Sequence, residues 1–261
     1  MNTLDKKYQE LLQDILDNGR TKQTRNGEVL SVFSREIRHN MKEGFPLLTT
    51  KRIKFDAIVL ELLWFLQGRT DLKYLVDNGC NIWNGDCYQA YLKEYKKYIN
   101  EDGTPFTQEQ FIEKIKTDDK FATEHGNLGP IYGKQWRQWS TMGKGQEMNG
   151  MFTIEENMKM NSIDQIKDII ETLKNDPDNR RMLVSAWNPG VLPDMTLPPC
   201  HFGFQLYTRE LTLHERYNML KKHHNFISVH YKEPKTMEYM DINNIPKRAI
   251  SLKKVLWKQL D

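Results

Sequence analysis

The strongest constraint on the fold is the stretch Asp176 to Tyr207, DPDNRRMLVSAWNPGVLPDMTLPPCHFGFQLY. Met182–Trp187 and Phe202–Tyr207 are rich in the branched and aromatic residues that favour strands. A loop punctuated by Pro and Gly divides them. Arg180 and Arg181 stand at the mouth of the first segment. Cys200 stands at the mouth of the second, after Pro198-Pro199 and before His201. A thiol in such a position, with cations and an imidazole close in sequence, has the makings of a nucleophile, because the thiolate is the reactive form and positive neighbours favour it. Two adjacent guanidinium groups suit a phosphate, whose oxygens they can grip in a bidentate way. Taken singly, a cysteine serves equally as a small buried hydrophobe, and an arginine pair as solvated surface.

The chain of 261 residues suits one large domain or two small ones, and 11% aromatic content argues against disorder. Cys80, Cys87 and Cys200 make an odd number in a long chain, which points to free thiols in a reducing compartment. No apolar run is long enough to span a bilayer, and MNTLDKKYQELL lacks the apolar centre of a signal peptide. A soluble, cytoplasmic protein is expected. The net charge of +3 is too small to imply a nucleic-acid partner. It is concentrated, however: residues 201–261 hold eleven Lys+Arg against six Asp+Glu, and five of the seven histidines. His223, His224 and His230 lack partners at zinc spacing, so no metal is expected.

Periodicity predicts helices at 8–18, 55–67 and 163–173, with Gly19 closing the first and Ser162 capping the last. A short helix over 71–78 is also expected. Asn26-Gly27 signals a hairpin turn, followed by strand over 29–39. Arg25 at that turn can aim a cation into a pocket or solvate the loop. The run Phe55–Gln67, FDAIVLELLWFLQ, is apolar on nearly all sides and predicts a buried helix, with Thr49 or Thr50 capping it. Glu61 interrupts it. A carboxylate there must be paired or neutral, as a satisfied structural acid or as a proton donor. Trp83, among turn residues, can stack a planar ligand or simply pack. Residues 88–126 read as a surface insertion of two short helices. The glycines flanking Tyr132 allow close backbone approach to a ligand.

Six segments in fixed order, EGFPLLTTK, ELLWFLQG, NIW, LGPIYGKQWR, DNRRMLVSAWNP and LPPCH, resemble the motifs of the folate-dependent thymidylate synthase family, bacterial and phage type. The resemblance spans about Arg25 to Tyr207. It implies a single α/β domain over residues 1–261, a mixed β-sheet covered by helices, dimerising through a sheet face. It implies transfer of a methyl group to dUMP, giving dTMP, with 5,10-methylenetetrahydrofolate as co-substrate and no metal. Cys200 is then the nucleophile that adds to uracil C6, Glu61 organises water and proton transfer at the pyrimidine carbonyl, and Tyr132 assists removal of the C5 proton. Arg25 binds the dUMP phosphate. Arg180 and Arg181 match the pair that the family lends to the partner's phosphate in a homodimer, and their field favours the Cys200 thiolate. Lys51 meets the acidic folate tail, Ile82 and Trp83 line the folate site, and His201 follows the nucleophile.

The resemblance weakens after Tyr207. Residues 208–247 read as a second insertion, and the text after Leu252 is KKVLWKQLD, an atypical tail at 253–261. The family's third phosphate arginine, its uracil-reading asparagine and its ribose-binding pair find no match, so the C-terminal part of the fold is expected to be missing. Two alternatives stand beside the synthase reading. One is a pyrimidine-nucleotide hydroxymethylase. The other is a non-catalytic chain that binds nucleotide or RNA, or pairs with a complete subunit.

Overall fold

A computed structural model describes residues 2–24, 27–94, 100, 103–141, 147–148, 151–152, 161–212, 214–215 and 248–255. The N-terminal helix α1 (Thr3–Asn18) starts five residues earlier than its periodicity suggests, because the Asn2 side chain accepts the Asp5 N–H at 2.7 Å and caps it. Strands β1 (Arg20–Thr24) and β2 (Gly27–Ser31) form the antiparallel hairpin that Asn-Gly signals. Arg25 and Asn26 lie outside the described residues. The strand expected to run on to His39 stops at Ser31: a strand persists only with a ladder partner, and among the described residues 32–39 have none.

The helical layer comprises α2 (Phe55–Leu66), α3 (Leu72–Asp77), α4 (Asn84–Glu94), α5 (Gln108–Thr117), α6 (Asp119–His125) and α7 (Tyr132–Arg137). Two short antiparallel pairs follow, β3 (Trp139–Thr141) with β6 (Asn161–Ile163), and β4 (Glu147–Met148) with β5 (Met151–Phe152). Helix α8 (Gln165–Asn175) is capped by Asp164, which accepts the Lys167 N–H at 3.0 Å, rather than by Ser162, which sits in β6. The last sheet is three-stranded and antiparallel, with β7 (Leu183–Ser185) and β9 (Arg248–Val255) on either side of β8 (Gly203–Glu210). Helices packed over small sheets make the architecture α/β, as expected; every strand pair among the described residues is antiparallel.

One core joins the layers. Trp64, Leu72, Leu75, Phe111, Ile115, Leu128 and Val184 are fully buried. Segment 88–126 is less superficial than its lysine and glutamate content suggests. Its apolar positions fall on inward faces, so Tyr91, Phe111, Ile115 and Phe121 join the core while Glu113, Lys114, Lys116 and Lys120 are exposed. Helix α2 departs from expectation in the opposite sense. Trp64 and Phe65 are buried, but Phe55, Val59, Leu62 and Leu63 are about 40% exposed or more. These four repeat at helical spacing, forming one apolar stripe that the described residues leave largely uncovered, apart from the Phe45 ring 5.1 Å from Phe55. Nor does Thr49 or Thr50 cap α2. The helix begins only after Lys54, beyond their reach, and no side chain caps it.

Of the second insertion, 208–212 and 214–215 are described, and of the tail, 253–255; the remainder, with His223, His224 and His230, lies outside the described residues.

Candidate active site

Helix α7 sets Tyr132 at its first residue, because Gly133 lets the helix press onto the turn after α2. A Cβ at 133 would lie 2.4 Å from the Arg69 carbonyl oxygen. Gly129, at φ +79°, does the same against the Asp194 carbonyl. The glycines around Tyr132 are therefore occupied by this chain's own backbone, not reserved for a ligand. Tyr132 is 2% exposed, with its ring 4.5 Å from Phe65 and 6.2 Å from Trp83.

The Tyr132 hydroxyl accepts the backbone N–H of His201 at 3.3 Å, and the two rings lie 4.9 Å apart. Burial pushes the phenol up to about 12; the His201 and Cys200 N–H groups oppose that shift, while negative charge on Cys200 or Glu61 adds to it. Tyr132 is therefore neutral across the physiological range. Cys200 is exposed at the start of β8's lead-in, so a buried phenol stands behind an accessible thiol. Cys80 and Cys87 are buried, and burial raises both thiols, Cys87 to about 12.

Glu61 projects from α2 half-buried, and its Oε1 accepts the Trp83 indole N–H at 2.8 Å. The acid is thus paired rather than sealed in the core. Trp83 is 5% exposed and packs 6.0 Å from Trp64. Ile82 beside it is 50% exposed, and Lys51 is exposed in the loop before α2. Glu61, Trp83, Tyr132, His201 and Cys200 thus gather around one point.

The arginine pair does not join them. Leu183 faces Gln205 and Ser185 faces Gly203, so the ladder continued puts Arg181 level with Tyr207 and Cys200 level with Asn188. Seven positions part Cys200 from Tyr207, roughly 20 Å of extended chain. Arg180 and Arg181 therefore cannot favour the Cys200 thiolate of their own chain. The mouths of two antiparallel strands lie at opposite ends, a relation that their nearness in sequence hides. By alternation Arg181 shares a sheet face with Leu183, Gln205 and Tyr207, and Leu183 and Tyr207 are 57% and 64% exposed.

Sequence reasoning missed the frame that holds the Cys200 loop. Gln165 accepts the Ser185 N–H at 2.9 Å and donates to the carbonyls of Ser185 and Gln135 at 2.8 and 2.7 Å. Gln135 is 2% exposed; it accepts from Asn188 at 3.0 Å and donates to the Pro130 carbonyl at 2.6 Å. The Thr196 N–H bonds to the Leu128 carbonyl at 3.0 Å. Two amides beside strand-forming residues carry no periodic signal. Among the described residues, no cluster of three or more His, Cys, Asp or Glu is placed to hold a metal, and no helix is long and apolar enough to cross a membrane.

A buried phenol, a half-buried helix-borne carboxylate and an exposed thiol are the groups that the fold brings together here. Comparison with known proteins makes this specific. Residues 6–225 match the thymidylate synthase family, and the chain belongs to it. It is similar to "Thymidylate synthase" of Mycoplasma genitalium, 41% identical over 206 residues that cover 78% of this chain and 62% of that protein. The Listeria monocytogenes serovar 1/2a protein of that name is 40% identical over 222 residues, covering 78% and 65% respectively. That of Mycoplasma mobile is 41% identical over 201 residues, covering 77% and 60%. The chain thus spans less than two thirds of the length of these relatives.

Proposed function

We propose that this chain carries the nucleophile-bearing part of a thymidylate synthase, converting dUMP to dTMP. The observation that supports it is the contact of Tyr132 with His201 directly beside the exposed Cys200, with Glu61 near enough to act on the same phenol. In this reading the Cys200 thiolate bonds to C6 of the uracil ring, and the electron pair released moves through C5 towards the ring carbonyl. Glu61, fixed by Trp83, orders the water that hydrogen-bonds that carbonyl as charge builds there. Tyr132, neutral and fixed by the His201 N–H, holds a water as acceptor for the C5 proton, since a phenol with a pKa of about 12 is itself a poor base.

The side chains present fit a folate: Ile82 offers exposed apolar surface and Lys51 an exposed cation for its acidic tail. When bound, 5,10-methylenetetrahydrofolate supplies the one-carbon unit and the hydride. Arg25 serves the dUMP phosphate. A homodimer is part of the reading, because the ladder puts Arg180 and Arg181 far from their own Cys200 and Arg181 on an exposed sheet face with Leu183 and Tyr207. The pair would meet the phosphate in the partner's site. Three free thiols fit a reducing, cytoplasmic setting.

The test is a mixture of two inactive variants, Cys200→Ala and the double variant Arg180→Ala/Arg181→Ala. In mixed dimers one site regains both an intact thiol and an intact arginine pair, so dTMP formation should return. A mixture as inactive as its parts, from chains that do associate, would overturn sharing across the dimer. Turnover by Cys200→Ala alone would overturn the nucleophile.

A further inference from the structure

We propose that Asp5 is a positioning residue for Lys51, acting through Thr49. Asp5 sits in the first turn of α1 and is 1% exposed. Its Oδ1 accepts the Thr49 backbone N–H at 2.8 Å and its Oδ2 accepts the Thr49 hydroxyl, a span of 44 residues in sequence. Among the described residues these two are the hydrogen bonds that tie 48–53 to the rest of the chain. Lys51 lies two residues on, with its ammonium in solvent.

The chemistry favours a carboxylate at position 5. Asp offers acceptors on both oxygens and takes both Thr49 donors at once; Asn could keep both contacts only by turning the Thr49 hydroxyl from donor to acceptor, so the variant that removes the clamp is Asp5→Ala. The Thr49 hydroxyl and N–H hold the Asp5 carboxyl below its usual range, so the clamp stays charged near neutral pH. The clamp is itself anchored. Arg35 pairs with Asp14 on α1 at 2.5 Å, and Lys7 donates to the Arg38 carbonyl at 2.6 Å. Helix α1 is thus fixed to 35–38 before it grips the loop. A long, flexible ammonium side chain on an untethered loop loses entropy on meeting an anion; fixing its backbone in advance reduces that cost.

The inference rests on the reading of Lys51 as the group that meets the folate tail, and the test separates the two. Amide hydrogen exchange at Thr49 reads the clamp without any folate. Asp5→Ala should accelerate it at least tenfold, Thr49→Ser should leave it slow, and an unchanged rate in Asp5→Ala overturns the proposal outright. Affinity is then measured for a folate with a polyglutamate tail and for an analogue without glutamate. Lys51→Ala and Asp5→Ala should each weaken only the tailed ligand, by about fivefold, the scale of one solvent-exposed ionic contact. Together they should do no worse than Lys51→Ala alone. If Lys51→Ala discriminates and Asp5→Ala does not, or weakens both ligands equally, the positioning role is wrong. If Lys51→Ala treats both ligands alike, the tail assignment of Lys51 is wrong, and the positioning role falls with it.

Discussion

Trp83 gives its indole N–H to Glu61 across 2.8 Å, and that bond joins the turn before α4 to the middle of α2. Trp83→Phe preserves a packed ring but removes the donor. Losing one hydrogen bond to a charged, half-buried carboxylate costs about 1–3 kcal/mol, so the urea midpoint should fall accordingly. A midpoint unchanged within error would mean that Glu61 has found water in place of Trp83.

The three thiols should separate cleanly by reactivity. Cys200 is exposed, whereas burial holds Cys87 at about 12 and raises Cys80. At pH 8 the Cys87 thiolate fraction is of order 10⁻⁴, and only the thiolate reacts. Iodoacetamide followed by peptide mapping should label Cys200 first and the other two only in denaturant. Equal labelling of Cys87 in the folded protein would contradict the packing of α4 against α6.

Tyr132 should ionise last among observable tyrosines. Its pKa in the fold is about 12, above the unfolded value near 10. The raised value means that the folded state retains the proton longer. The contribution, about 2–3 kcal/mol at 1.36 kcal/mol per unit, is present in full below pH 10 and disappears as pH rises to 12. A phenolate absorbance titration should lose its final phase in Tyr132→Phe. Persistence of that phase would assign it to another tyrosine.

Gln165→Ala tests the frame around the Cys200 loop. The change strips partners from the Ser185 N–H and from the carbonyls of Ser185 and Gln135. With water reaching part of the gap, a loss of about 3 kcal/mol is expected. Labelling of Cys200 should also become less sharply single-phase, as its loop samples more conformations. Gln165→Glu keeps the acceptor for Ser185 but sets a carboxylate oxygen against the two carbonyls, so it should lose at least as much as Gln165→Ala.

Much of the fold could be read from the chain because local signals agreed with their surroundings. Asn26-Gly27 announced a hairpin, and the branched residues around Val184 and Phe204 announced β7 and β8. Cys200, His201, Tyr132, Glu61 and Trp83 were singled out as candidates, but their local settings left each open, and it was the resemblance to a family that joined them into one site. What stayed hidden depended on partners. Residues 32–39 look like a strand but have no ladder among the described residues. Helix α2 looks buried all round, yet among the described residues a stripe from Phe55 to Leu63 is left exposed. The separation of Arg181 from Cys200 follows from antiparallel register, which sequence proximity masks. Asp5 and Thr49 are ordinary polar residues until the fold brings them together.

The central claim, that Cys200 is the nucleophile towards a uracil ring, is tested most directly by weighing the intact protein. The chain is incubated with 5-fluoro-dUMP and methylenetetrahydrofolate, denatured and analysed by mass spectrometry. The expected result is a mass increase equal to both ligands, mapped to the Cys200 peptide and absent in Cys200→Ala. A folded wild-type chain that gains no mass, or an adduct that persists in Cys200→Ala, would contradict the claim.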